Sequence, residues 1–302
     1  GTFLVRSGIL TSVHAFASDP ERGIFILAFL AVVIGGSLLL FALRGPAMQT
    51  SVEYSGWSRE NLLLINNILL VSSMVMILIG TLYPLFADVL DLGKISVGPP
   101  YFDFFFVPLM TGLMVCLGFA GFTRWKKTDA SMLLRKGLWP IIISVVLALL
   151  LPLFAEEYSW LSVFTLLLAL WVTTMSIEDL LLKTEGKLSK FIGLTGSYWG
   201  MICAHIGIAV CALGVGLSTA YDAQRDVRME PGDRVEVSGY QFEFVSLKQV
   251  QGPNFVAYRG EIEVVSGDRV VATMLPEKRN YRAGGQVMTE AAIDGKLSRD
   301  LY

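Results

Sequence analysis

The sequence predicts a polytopic α-helical membrane protein with a small β-rich domain at its C-terminal end. Three observations lead there. Hydrophobic residues are 54% of the 302 and charged residues only 17%, against roughly 25% charged in an ordinary soluble domain. Six apolar stretches reach or approach the ~20 residues that cross a bilayer. The charge is also unevenly placed: residues 1–221 hold 13 Lys/Arg and 13 Asp/Glu, whereas residues 222–302 hold 11 and 13 in a far shorter length. This composition excludes a disordered chain, a collagen and a coiled coil. A net charge of −2 leaves no basic footprint for nucleic acid.

The six stretches are Ile24–Leu43, Leu62–Phe86, Phe104–Phe122, Leu138–Phe154, Leu161–Ile177 and Trp199–Tyr221. The fourth and fifth are short, and the Ala155–Trp160 link between them implies an antiparallel pair. Loops 44–61, 123–137 and 178–198 carry 2, 5 and 3 basic residues, while loops 87–103 and 155–160 carry 1 and 0. Positive loops stay in the cytoplasm. One alternating topology therefore satisfies all six spans and puts 1–23, 87–103, 155–160 and 222–302 on the outer side. The reading divides the chain into an outer segment 1–23, a helical membrane domain 24–221 and an outer β-domain 222–302.

In that last part Val235 and Val237, Tyr240, Phe242 and Phe244, and Ile262 and Val264 alternate with polar residues, as strands do. Turn signals separate them at Pro231-Gly232-Asp233, Ser238-Gly239, Gly252-Pro253-Asn254 and Ser266-Gly267-Asp268. A small antiparallel sheet or barrel is expected, cut short at the end. The first residues, Gly1 to Val5, read as the tail of a helix, so the chain is expected to be an internal piece of a longer protein. Cys116, Cys203 and Cys211 all sit in apolar runs and none falls in 222–302, so no disulfide framework is expected. No phosphate-binding, dinucleotide or zinc motif occurs.

Two histidines exist, His14 and His205. His205 lies inside the sixth stretch, where an ionisable side chain is costly and functional by default. Ala209, Ala212 and Gly216 follow it one to three turns on and make a flat face. Such a face suits a large planar ligand, and a neutral imidazole is an axial ligand of haem iron. The alternative is that the small residues pack helix on helix and His205 bonds a neighbouring helix. His14 stands in a segment that mixes apolar and small polar residues, as membrane-surface segments do. It reads as a ligand, an acid/base or an interfacial residue, and Arg6 as a partner for a carboxylate or as nothing more than surface charge. Pro99-Pro100 reads as a rigid extended turn. Asn66 and Asn67 read as a helix-to-helix hydrogen bond.

Five motifs occur in order: Arg6-Ser7-Gly8 leading to Thr11-Ser12-Val13-His14-Ala15-Phe16-Ala17; Gly80-Thr81-Leu82-Tyr83-Pro84; Ser96-Val97-Gly98 with Pro100-Tyr101-Phe102; Ala204-His205 with Gly207; and Pro276-Glu277, Arg279 and Tyr281. Together they resemble the CcmF/NrfE family of cytochrome c maturation proteins over the whole chain. The resemblance implies a haem lyase subunit of the bacterial inner membrane. It would receive haem from the chaperone CcmE and act with CcmH and CcmI. Haem vinyl groups would be joined to the CxxCH thiols of apocytochrome c, with a quinone as a further partner. It implies a resident haem b between two transmembrane histidines, one matching His205, and a substrate haem held by two periplasmic histidines, one matching His14. The partner histidines and a tryptophan-rich WWD segment lie upstream in the family, and a further span lies downstream. Two rivals are a b-type cytochrome electron-transfer subunit and a haem transporter or permease.

Overall fold

The computed structural model describes residues 20–48, 56–93, 95, 97–155, 157–282, 287–296 and 299–302. Phe25–Tyr221 is one compact unit, and Asp222–Tyr302 lies in a second. Arg6 and His14 lie outside the described residues.

The first unit holds α1 (Pro20–Arg44), α2 (Arg59–Val89), α3 (Pro99–Ala120), α4 (Ala130–Leu150), α5 (Trp160–Thr184), the short α6 (Leu188–Ile192) and α7 (Gly196–Ala220). Six of these helices are long and apolar enough to cross a membrane. The chain is a multi-pass membrane protein. The fourth and fifth spans run 25 residues each, Ala130–Phe154 and Trp160–Thr184, longer than their apolar cores. A helix ends where its hydrogen-bonded ladder is capped, not where hydrophobicity stops. Asp129 caps α4 by accepting from Ser131 N at 3.0 Å, and Ser159 caps α5 by accepting from Ser162 N at 3.4 Å. Both caps lie in polar sequence, so the helices extend into it.

Pro99 and Pro100 open α3 instead of forming an extended turn. A proline at the first helical position loses only an N–H that has no intrahelical acceptor anyway. Among the described residues, neither Asn66 nor Asn67 makes a side-chain hydrogen bond to another helix. Asn66 Nδ2 donates weakly to Asn67 Oδ1 at 3.5 Å, on an exposed face of α2, because neighbours in a helix point about 100° apart and only Asn66 turns partly inward.

The core sits on α5, which packs against α3, α4 and α7. Ala169, Trp171, Val172 and Met175 are buried there with Met114, Phe122, Leu133 and Ala209. Lipid supplies no hydrophobic drive between helices, so close approach and hydrogen bonds hold them. Ser144 Oγ lies 3.0 Å from Thr174 Oγ1, and both hydroxyls also reach the Pro140 carbonyl. Trp171 Nε1 donates to the Val115 carbonyl at 3.2 Å. The outward faces of all six long helices are apolar and exposed, as lipid-facing surfaces are.

The second unit is an antiparallel sheet of β1 (Arg234–Val237), β2 (Tyr240–Gln251), β3 (Phe255–Ser266), β4 (Arg269–Met274), β5 (Glu277–Tyr281) and β6 (Val287–Glu290), with β7 (Asp294–Gly295) pairing β8 (Asp300–Leu301). β3 is long enough for two partners along one edge: its first half pairs β5 and its second half β4. All four expected turns fall between strands or just before β1. Ser238 and Gly239 both have positive φ, at 46° and 74°, the conformation that a two-residue hairpin loop needs. Val264, Met274 and Leu301 form the core between the sheet and the β7–β8 pair, with Tyr240, Phe242 and Ile262 against them.

Candidate functional site

His205 lies nine residues into α7, roughly 13 Å from its start at 1.5 Å per residue. It is half-buried and opens on a small recess shared with Gly118 and Gly121 from the α3 end, Met175 and Asp179 of α5, and Ile202 of α7. The two glycines allow close approach there, Gly118 to the Trp171 indole and Gly121 to Asp179 of the recess. A Cβ on Gly118 would stand 2.1 Å from Trp171 Nε1, and one on Gly121 would stand 2.8 Å from Asp179 Cγ. The space is about 10 Å³, room for about one water and no more.

Asp179 is 5% exposed, an acid within a span that the sequence reading passed over. Its Oδ2 accepts from Tyr198 Oη at 2.7 Å and pairs with Lys183 Nζ at 3.3 Å. Lys183 Nζ lies 3.9 Å from the centre of the Tyr198 ring. The charge is therefore neutralised and bonded, as a buried carboxylate requires. The signal available in the sequence was Asp179 four residues before Lys183 at the end of an apolar run. His205 itself makes no hydrogen bond among the described residues.

The face carrying Ala209, Ala212 and Gly216 is taken by α5. Ala209 is 1% exposed, and a Cβ on Gly216 would stand 2.2 Å from Thr165 Oγ1. That face serves helix packing and is no platform for a ligand, because an α5 so rich in small and hydroxyl residues comes closer than a ring would allow. A different set of small residues is open. Gly200, Ala204, Gly207, Cys211 and Gly214 recur every three or four positions on an exposed side of α7, and the three glycines have nothing within 4 Å of a Cβ. His205 does not lie on this side: at about 100° per residue it projects with Ala209, Ala212 and Gly216 toward α3 and α5. Its donor chemistry fits a haem iron: a half-buried imidazole in an apolar span, with no hydrogen bond among the described residues.

Two of the other motifs meet in the structure. Gly80 of α2 is buried against Tyr101 of α3, whose Oη donates to the Met76 carbonyl at 3.0 Å. Each explains the other: the ring occupies the space that a side chain at position 80 would need. The last motif is an ion-pair knot. Glu277 is 6% exposed and accepts from Arg279 Nε and Arg259 Nε, both at 2.6 Å. These bonds, Arg279 first, hold its carboxyl below the usual carboxylate range. Arg279 stacks over Phe255 at 4.6 Å, and Phe255 packs on Tyr281. Cys116 is half-buried and Cys203 and Cys211 are exposed, all as free thiols. Among the described residues no group of three or more His, Cys, Asp or Glu could hold a metal ion.

Comparison with known proteins agrees with this architecture. A family model of the CcmF C-terminal β-sandwich matches residues 220–302. The chain is 52% identical over its whole length to cytochrome c-type biogenesis protein CcmF of Pseudomonas aeruginosa and 45% identical to that of Escherichia coli. It is 32% identical to cytochrome c-type biogenesis protein NrfE of Haemophilus influenzae. It covers 46% of the first two and 47% of the third, so it spans about half the length of these curated relatives. A solved structure of cytochrome c haem lyase CcmF superposes with a TM-score of 0.65 over 94% of this chain and 44% of that one, at 16% identity. At that identity the likeness concerns the fold.

Proposed function

We propose, from the premise that this chain is homologous throughout its length to CcmF-type cytochrome c biogenesis proteins, that it serves in cytochrome c maturation as part of a haem lyase. The observation that carries the reading is this whole-chain identity, 45–52% with two named CcmF proteins. The named relatives favour it over a b-type electron-transfer subunit or a permease.

The reaction would add a cysteine S–H of apocytochrome c across a haem vinyl C=C. Sulfur bonds one carbon, the hydrogen goes to the other, and no electrons are gained or lost overall. CcmE would supply the haem on the outer side, with CcmH and CcmI presenting the apocytochrome. His14 would hold the iron of this substrate haem and so fix the vinyl groups against the thiols, a positioning effect. Arg6 would pair a propionate.

His205 would be an axial ligand of a resident haem b, with the partner histidine outside this chain. What supports this is its half-buried imidazole within an apolar span, without a hydrogen bond among the described residues. When bound, such a haem supplies one-electron transfer, with a quinol as the source of electrons. Asp179 and Tyr198 would fix the helix ends around His205, and the packed α3–α5–α7 contact would keep water from that side.

One paired experiment tests both histidines. In the full-length protein, His205→Ala should remove most of the b-haem absorbance. His14→Ala should keep that absorbance and remove most covalent cytochrome c from the same cells. Full haem with an unchanged spectrum in His205→Ala would make that residue a packing residue. Loss of both signals in His14→Ala would tie His14 to the resident haem or to the fold.

A further inference from the structure

A cleft of about 300 Å³ opens at the basic end of the helical unit, between α2, α4, α5 and the segment after α3. Arg59, Arg124, Lys136 and Lys183 line it, with Asp179 at its floor. Asp179 is matched by Lys183. The remaining three cations have no carboxylate partner among the described residues, so the cleft carries three uncompensated positive charges. Two of these cations are fixed by rings instead of acids. Arg59 Cζ lies 5.6 Å from the Trp125 ring and Lys136 Nζ lies 5.4 Å from the Phe122 ring. The backbone around them is tied down as well, with Arg59 N donating to Arg124 O at 2.9 Å and Thr128 N to Trp57 O at 2.7 Å.

Uncompensated cations held in place around a cavity make an anion site. The surroundings identify the class of anion. Phe122, Met132 and Leu182 form an apolar wall, and Leu182 is 47% exposed. Trp125, 60% exposed, stands beside the cleft, as tryptophans do at the level of lipid headgroups. The cleft lies at the ends of the spans, where headgroup phosphates are. We propose that it binds the phosphodiester headgroup of an anionic phospholipid, with the glycerol and upper acyl chains against the apolar wall. By the distribution of Lys and Arg this is the cytoplasmic leaflet, whose acidic lipids are drawn to juxtamembrane basic groups. Because Asp179 faces both this cleft and the His205 recess, a bound headgroup would also fix the α5 end next to His205.

The test uses purified, delipidated full-length protein and native mass spectrometry. Phosphatidylglycerol should stay bound, and phosphatidylcholine should bind at least tenfold more weakly. Arg124→Gln/Lys136→Gln should weaken phosphatidylglycerol binding by roughly tenfold or more. Lys126→Gln/Lys127→Gln removes the same charge from the same loop outside the cleft and should change it less than twofold. A second measurement needs no variant: phosphatidylglycerol should raise the thermal midpoint of the unmodified protein, and phosphatidylcholine should not. Equal losses in the two double variants would reduce the effect to general surface charge and overturn the site. Inorganic phosphate that binds alone and displaces the lipid completely would make it a phosphate site and overturn the lipid assignment. No binding and no thermal shift would overturn both.

Discussion

Gly118→Ala should destabilise the helical unit, whereas Gly137→Ala should not, although both glycines face the same indole. A Cβ at position 118 would stand 2.1 Å from Trp171 Nε1 and 2.3 Å from Cε2, while one at position 137 would stand 3.6 Å from Cη2. The first distance is more than 1 Å inside contact, and the second is ordinary contact. The indole cannot yield easily. Trp171 is 7% exposed, donates to Val115 O, and packs edge-on against Phe119 with ring centres 5.0 Å apart. Relief therefore requires α3 and α5 to separate or the ring to leave its place. Overpacking costs about 1–3 kcal/mol, and the indole hydrogen bond and ring pair are each worth about 1 kcal/mol. Against this, Ala is a better helix former than Gly by about 1 kcal/mol. The net expectation is a loss of about 2–4 kcal/mol for Gly118→Ala and a change within about 1 kcal/mol, in either direction, for Gly137→Ala. Thermal unfolding in mild detergent, followed by tryptophan fluorescence, should show a drop of roughly 5–10 °C for the first and almost none for the second. Trp171→Phe should restore much of the loss in the Gly118→Ala background, a coupling that only contacting residues show. Equal midpoints for the two glycine variants, or no rescue, would refute the close-packing account of the α3–α5 contact.

Glu277→Gln should lower the unfolding midpoint of the β-domain by several degrees and remove its acid-sensitive step. With the carboxyl held below its unfolded value by Arg279 and Arg259, its contribution is fully present above the ordinary carboxylate range and is lost as pH falls through the lowered value. Proteolysis of the full chain between neutral pH and pH ~3 reads this out, and an acid response unchanged in the variant would show that other carboxylates dominate. Sidedness is read by cysteine labelling in a background without Cys116, Cys203 and Cys211. Asp268→Cys should react with an impermeant reagent from the periplasm and Lys127→Cys should not. Lys127 is the better cytoplasmic probe because it is exposed, whereas neighbouring Thr128 is 5% exposed and would stay unreactive from either side. Tyr198→Phe removes one hydrogen bond to the buried Asp179 and should cost about 1–2 kcal/mol in the same fluorescence assay. A wild-type midpoint there would mean that Lys183 alone satisfies the acid.

The sequence by itself determined the class, the number of spans and the strand-rich end. Each depends on composition and period, which are local: six apolar runs of membrane length, alternation through Val235, Phe242 and Val264, and turn residues such as Ser238-Gly239 that allow few other conformations. It also singled out His205, because an ionisable residue in an apolar run is visible without coordinates. The structure alone decided what faces what. A stripe of small residues looks the same from sequence whether another helix or a ligand lies on it. Here Ala209, Ala212 and Gly216 turned to α5, and Gly200, Ala204, Gly207 and Cys211 stayed open. Nor could spacing along the chain bring Gly80 to Tyr101, Gly118 to Trp171, or Arg59 and Lys136 to one cleft around Asp179. Those pairings depend on which helices adjoin and on their rotation about their axes. Both are set by side-chain packing and hydrogen bonds between distant segments, and a local pattern carries no record of its distant partner.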